Sequence, residues 1–220
     1  MGTSIIVTTY NDAGFLGTSL GSCLNQDTEK EIILVDDAST KEGDILATML
    51  KQYPVRYIRH GANQGLSAAR NTGIAAAKYD KVIVLDADDY FYPNAIPSLV
   101  GDMYNGVDVV CGYCTDSGNE YRPGIFHRPL TKELFIEDNP VICSSLFRKS
   151  IWEKVGGYMV RKGPHYEDWN FWARCFAAGA EFRPVNIKVY NHTSRPDSML
   201  RELHPNRDFY RKLAVEGVFK

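Results

Sequence analysis

The sequence predicts an α/β protein built on a doubly wound, mostly parallel sheet with helices on both faces. Short apolar runs alternate with stretches of helical periodicity through the first half of the chain, the pattern of repeated strand–helix–strand units. Three of those runs, SIIVTT (4–9), EIILVD (31–36) and KVIVLD (81–86), are continuous in apolar residues, as strands covered on both faces are. The strands end in TTYN, VDDAST, RHGANQG and LDADD. In open sheets of this class ligands bind beyond the carboxyl ends of the strands, so these polar and acidic ends mark the place to look.

The elements follow in order. Strand 4–9 leads into a helix over AGFLGTSLGSCLNQ, where Phe15, Leu16, Leu20, Cys23 and Leu24 recur at helical spacing. Strand 31–36, a helix over DILATMLKQ, strand VRYIRH and an Ala-rich helix over SAARNTGIAAAK come next. Strand 81–86 precedes a helix over NAIPSLVGDM that Asn94 is placed to cap. VDVVCGYCT is a fifth strand. Beyond it DSGNEYRPGIFHRP reads as a loop, VICSSLFR as a strand, and KSIWEKV as a short helix stopped by Gly156 and Gly157. EDWNFWARCFAAGA is a helix with Trp169, Trp172, Cys175 and Phe176 on one face; FRPVNIKVYNH is extended; the tail from Asn206 is helical.

A chain of 220 residues can bury a sizeable core. Its 25 Lys and Arg against 27 Asp and Glu leave a formal charge of −2, so there is no global basic field to hold nucleic acid. The N-terminus enters a strand without a basic region and apolar stretch, and Ile6 stands where myristoylation wants Ser or Thr. No segment reaches the length of a membrane span. Five scattered cysteines, an odd number in apolar contexts, point to a reducing, cytoplasmic setting. Cys111 and Cys114 form a CxxC pair with no second pair to complete a zinc site, so packing is the expected role. In that compartment the Asn191 glycosylation triplet is accidental.

Asp86, Asp88 and Asp89 crowd the end of the fourth strand run. Carboxylates this close disfavour one another's ionisation, so a compensating positive charge is expected among them. The usual phosphate loops do not fit. GANQGLSAARN lacks the Lys of a Walker loop, and YNDAGFLG lacks the three glycines of a dinucleotide fingerprint.

SIIVTTYN, ILVDDAST, GANQGLSAARNTGIAAA, VLDADD and YEDWNFWAR stand in this order. Together they resemble the motifs of a family 2 glycosyltransferase of the GT-A fold, from about Ser4 to about Ser198. The resemblance implies one GT-A domain over 1–220, with a nucleotide-sugar-binding half (1–115) and an acceptor half with the C-terminal tail (116–220). It implies inverting transfer from a nucleotide-diphosphate sugar, UDP first, to a glycan, lipid-linked or small-molecule acceptor. Mn²⁺ or Mg²⁺ is the implied cofactor and homo-oligomers are possible.

By that resemblance Asp88 holds the metal against the donor diphosphate, where a hard cation neutralises the leaving group. Asp86 touches the ribose or a metal-bound water, and Asp89 supports them. The bland alternative is a solvated acidic turn. Asp36 and Asp37 hold the nucleotide, Asp37 accepting from the uracil ring, with Thr8 nearby. Tyr10 either stacks on the base or is a core ring with its hydroxyl at the rim. Arg70, one turn into its helix, is a cation near the diphosphate or a surface ion pair. Gly65 serves a turn and Gly73 close packing. Asp168 is the catalytic base, and Glu167 orients it or contacts the acceptor; alone, the pair reads as ordinary acids in a first helical turn. His192 is a metal ligand by resemblance, although YNHTSRPDSM departs from the usual Arg and His spacing; His165 reads first as surface chemistry. Ala38 stands where the family usually has Gly. No Gln-Xaa-Xaa-Arg-Trp motif occurs, which argues for transfer of one or a few sugars rather than processive synthesis. A nucleotidyltransferase would want a cation in YNDAGFLG, and a silent binding module would not need intact Asp88 and Asp168.

Overall fold

The computed structural model describes residues 2–116, 119–121, 123–126, 128–163, 165–195 and 204–219. Its strands are β1 (Thr3–Thr9), β2 (Lys30–Asp36), β3 (Arg56–Arg59), β4 (Lys81–Asp86), β5 (Tyr90–Phe91), β6 (Val109–Asp116), β7 (Asn119–Tyr121), β8 (Leu146–Arg148) and β9 (Phe182–His192). They make one sheet in the order β3-β2-β1-β4-β8-β6-β9-β5, with β7 attached to β6. The helices are α1 (Leu16–Leu24), α2 (Gly43–Gln52), α3 (Leu66–Ala76), α4 (Ala95–Asp102), α5 (Lys132–Glu137), α6 (Lys149–Val155), α7 (Glu167–Ala177) and α8 (Arg207–Val215).

β1 to β4 pair in parallel, as the unbroken apolar runs of β1, β2 and β4 lead one to expect, with the half-exposed β3 at the edge. Their register aligns the polar ends. Thr9 lies opposite Asp36, Thr8 opposite Asp86, and Asp36 opposite Arg59. Four neighbouring strands therefore deliver acids, hydroxyls and a cation to one edge. α3 lies against this sheet because Gly73 allows it: a Cβ there would stand 2.3 Å from Ile6 Cγ2.

Beyond β4 the sheet becomes mixed. β8 runs antiparallel to β4 and β6, β5 runs antiparallel to β9, and β6 runs parallel to β9. The β6–β9 register shifts between Cys111 and Cys114. Gly112 sits in that irregular stretch, where a Cβ would meet the Ile187 carbonyl at 2.4 Å.

Several expectations change here. The strand expected over VICSSLFR shrinks to Leu146–Arg148. Before it, Ser145 donates through Oγ to the Ile142 carbonyl and through N–H to that of Cys143, local bonds that compete with a ladder. α5 and β5 were not expected. α5 starts at Thr131, whose hydroxyl accepts from Leu134 N–H at 3.2 Å. The loop expected over 116–129 contains β7. Asn94 does not cap α4 through its side chain; it takes a left-handed backbone instead, which Asn tolerates. Gly156 and Gly157 do stop α6, both at positive φ.

α7 is buried on nearly all sides. Trp169, Phe171, Trp172 and Cys175 are inaccessible, while Phe176 is half-buried. Phe147 meets Phe171 and Trp172 edge-on at 5.4 and 5.7 Å. The Trp169 indole donates to the Phe135 carbonyl at 2.8 Å and ties α7 to α5. All five thiols are free, and Cys111 and Cys114 are buried in β6. Among the described residues no helix is long and apolar enough to cross a membrane.

Candidate active site

The end of β4 meets the start of α7 through one side chain. Arg70 lies one turn into α3 and is 1% exposed. Its Nη2 donates to both oxygens of Asp86, at 2.9 and 3.1 Å, and its Nη1 donates to Glu167 Oε1 at 2.7 Å. Burial works against the guanidinium charge, but Asp86 first, and Glu167 among its other neighbours, hold the pKa well above the usual Arg value. Nε is buried without a partner among the described residues. Arg70 is therefore a buried cation between two carboxylates, neither a surface ion pair nor a freely presented group. Thr8 Oγ1 reaches Asp86 Oδ1 at 3.4 Å, as their shared register dictates.

Asp88 and Asp89 follow in a turn closed by Asp89 N–H to the Asp86 carbonyl. Asp89 is buried and accepts the Thr193 N–H at 2.8 Å. Burial, and then the Asp86 charge, push its carboxyl up to about 8. Burial and Asp86 also raise Asp88. The compensating charge on Asp88 is Arg195, whose Nε lies 3.0 Å from Oδ2. Arg195 also pairs with Asp12 at 2.8 Å and covers the Phe15 ring. Sequence reasoning missed Arg195; its only signal was a cation just after the last long strand.

Asp86 and Asp88 fit a hard divalent cation by their chemistry. Among the described residues no group of three or more His, Cys, Asp or Glu is arranged to cage a metal. Mg²⁺-type sites commonly take one or two carboxylates and complete the shell with substrate phosphates and water, which is what two acids at a strand end can offer. His192, at the end of β9, has Nδ1 3.5 Å from Asp116 Oδ1.

The β2 acids are used internally. Asp36 is fully buried. It accepts from Ser39 N–H and the Tyr57 hydroxyl, each at 2.8 Å, and is bonded by Arg59. Burial would raise its pKa; the bonds from Ser39 and Tyr57 and the Arg59 charge hold it below the usual value. Asp37 Oδ1 accepts Gln64 N–H at 2.9 Å and faces His60 Nδ1 at 2.6 Å. Its Oδ2 accepts Gly65 N–H at 2.7 Å. Asp37 thus closes the loop that enters α3, and Gly65 makes the turn at φ +89°. Ala38 follows these acids at φ +63°, a conformation costing a non-glycine residue about 1–2 kcal/mol. Tyr10 is 45% exposed at the end of β1, so it is not a core ring.

Glu167 and Asp168 open α7, as expected. Asp168 is half-buried. Oδ1 accepts Trp169 N–H at 2.8 Å and Oδ2 accepts Asn139 Nδ2 at 2.9 Å. Burial first, and the neighbouring Glu167 charge second, push its carboxyl up to about 7 against the pull of Arg70. His165 hydrogen-bonds Ser67 Oγ at 3.3 Å and the Gly163 carbonyl at 2.8 Å. The Arg70 contacts thus tie the crowded acid cluster at the end of β4 to the helix start that bears Asp168.

The sequence model of glycosyl transferase family 2 matches residues 4–160, and the chain belongs to that family. It is 27% identical to a dolichol-phosphate mannosyltransferase of Pyrococcus furiosus over 86% of this chain and 51% of that protein. It is 30% identical to the poly(ribitol-phosphate) β-N-acetylglucosaminyltransferase TarP of Staphylococcus aureus over 69% of this chain and 50% of that one. The chain spans about half the length of these curated relatives. TarS of S. aureus in complex with UDP-GlcNAc superposes with a TM-score of 0.79 at 18% identity, covering 100% of this chain and 68% of that one. The mannosyltransferase PcManGT of Pyrobaculum calidifontis in complex with GDP-Man and Mn²⁺ gives 0.73 at 17% identity, covering 96% and 63%. The mixed α/β sheet is the GT-A arrangement of these neighbours.

Proposed function

We propose that this protein is a metal-dependent, inverting glycosyltransferase that moves a sugar from a nucleoside-diphosphate donor, UDP first, to an acceptor hydroxyl by direct displacement. The observation that carries the reading is the buried Asp86–Arg70–Glu167 chain. It sets the strand end suited to a diphosphate beside the helix start that bears Asp168. A base must lose its proton near neutral pH to take one from an attacking hydroxyl, and a carboxyl near 7 does.

Asp168 accepts the acceptor's proton. Glu167, neutralised by Arg70, fixes the start of α7. Asp88, with Asp86 beside it, would hold Mn²⁺ or Mg²⁺, which when bound offsets the charge that develops on the leaving diphosphate. Arg195 balances Asp88 in the free protein. Tyr10 offers its face to the base. Asp37, buried and held by three contacts from the 60–65 loop, shapes the wall of the base site. The mannosyl- and N-acetylglucosaminyltransferase names among the relatives, and the UDP-GlcNAc and GDP-Man in structural neighbours, support a nucleotide-sugar donor.

Two substitutions separate binding from chemistry. Asp168→Asn retains donor binding and lowers transfer by about 10²–10⁴-fold, the usual worth of a positioned base. Asp88→Ala loses metal-dependent nucleotide binding. Binding is read as the thermal shift with UDP, GDP, dTDP or CDP, with and without Mn²⁺; ligand at a hundred times its Kd stabilises by about 2.7 kcal/mol. Near-full transfer by Asp168→Asn, or an unchanged metal-dependent shift in Asp88→Ala, would remove the respective role.

A further inference from the structure

The loop after α5 carries a side chain that touches the base. α5 is pinned to α7 by the Trp169 indole on the Phe135 carbonyl. Four residues beyond Phe135, Asn139 donates through Nδ2 to Asp168 Oδ2 at 2.9 Å. The amide's other end is also engaged: Asn139 Oδ1 accepts Val141 N–H at 3.4 Å. That bond fixes which way the amide faces, because a flipped Asn139 would set its oxygen against a carboxylate and its NH₂ against an N–H. The loop itself is held by Ile125 N–H on the Pro140 carbonyl and by the burial of Val141 and Ile142. Asp168 thus has each oxygen held by a donor from a different element, Trp169 N–H of its own helix and the Asn139 amide of the loop.

We propose that Asn139 is a positioning residue for proton abstraction: it fixes the rotation of the Asp168 carboxylate and favours its ionised form. The inference rests on Asp168 being the base. A donor facing a carboxylate stabilises the anion over the acid, and an amide cannot take the proton itself.

The charged groups acting on Asp168 are Glu167 on its own helix and Arg70 from α3. Cys143 of the loop, Tyr121 of β7, Tyr158 and Tyr166 ahead of α7, and Tyr190 of β9 are the other titratable side chains around it. Burial raises all of them above their usual values, so none ionises near neutrality. Asp138, next to Asn139, is paired with Arg207 at 3.1 Å. Asp88 and Asp89 are raised too, but the Asn139 amide bonds Asp168 and Val141 rather than either of them, so a difference in acid limb between the parent and the Asn139 variants reports on Asp168.

The test compares Asn139→Ala, Asn139→Asp and Asp168→Asn, each checked for melting temperature and for the thermal shift given by UDP with Mn²⁺. Asn139→Ala should lower kcat roughly 10- to 100-fold, the worth of a hydrogen bond to a charged group. Donor KM and the UDP shift should stay unchanged, and the acid limb of kcat/KM should move up. Asn139→Asp sets a like charge against the base, so its acid limb should move up further. If both variants keep the parent's kcat and acid limb while Asp168→Asn is inactive, the positioning role falls and the base stands. If kcat and the UDP shift fall together, Asn139 is only a strut of the loop and the proposal fails. If Asp168→Asn keeps transfer, the base assignment fails first.

Discussion

At Asp168 one proton decides the role. The carboxyl is pushed up to about 7 by burial and by Glu167, against about 3.9 for a free Asp. A raised carboxyl pKa means the base form is lost as pH falls through 7. The kcat/KM profile should therefore rise tenfold per pH unit below about 7 and level off above it. Rates measured from pH 5 to 9 at constant ionic strength check this; a flat profile down to pH 5 would show a base with an ordinary carboxyl pKa. The same shift costs the fold stability. The native state holds a proton that the unfolded chain has released, so this group's contribution declines as pH rises from about 4 to about 7. Which acids lie near the site was legible in the sequence; which are free was not. Asp36 and Asp37 read alike as nucleotide ligands, yet both are consumed by Ser39, Tyr57, Arg59 and the 60–65 loop. Ser39 is a local donor, but Tyr57 and Arg59 of β3 and the 60–65 loop come some twenty residues on, and no local pattern announces them.

Among the elements, the parallel strands were the most legible, because a run such as IILVD admits few alternatives when both of its faces are covered. The position of α3 was legible too, through Gly73. Its absent Cβ would lie 2.3 Å from Ile6 Cγ2 and 3.2 Å from Val35 Cγ2, side chains in the middle of β1 and near the end of β2. Gly73→Ala must push α3 off the sheet or distort two fully buried side chains, and overpacking of this kind costs about 1–3 kcal/mol. A lowered denaturant midpoint with an unchanged slope would register it; an unchanged midpoint would mean the helix yields freely. α5 and β5 escaped the sequence reading for opposite reasons. β5 is two residues long and exists because it pairs with Tyr190 and Asn191. α5, KELFIE, is too short to show a helical period; its Thr131 cap, the burial of Leu134 and Phe135 and the hold on Trp169 sustain it. That missed helix carries the loop that brings Asn139 to Asp168.

Across the whole molecule, Arg70 joins parts that the sequence keeps far apart. Asp86 ends a strand of the parallel region, Glu167 starts a helix between β8 and β9 of the mixed region, and the cation between them is 1% exposed. No ordering of motifs along the chain could show that the third and fifth of them meet. Arg70→Met keeps most of the volume and removes the charge, leaving two carboxylates facing each other. Breaking a buried pair costs about 3–5 kcal/mol. Asp86 retains 35% side-chain exposure, so water relieves part of that and the lower end is expected. For a chain of this size about 3 kcal/mol lowers Tm by roughly 6–12 °C. Adding Glu167→Gln to Arg70→Met removes the orphaned buried carboxylate and should recover part of that Tm. Transfer should stay low in the double variant, because the start of α7 has lost its anchor to the strand end. Arg70→Met melting with the parent would show that the Asp86–Arg70–Glu167 chain is not what holds the two sides of the site together. Full recovery of transfer in the double variant would show that the chain serves stability alone.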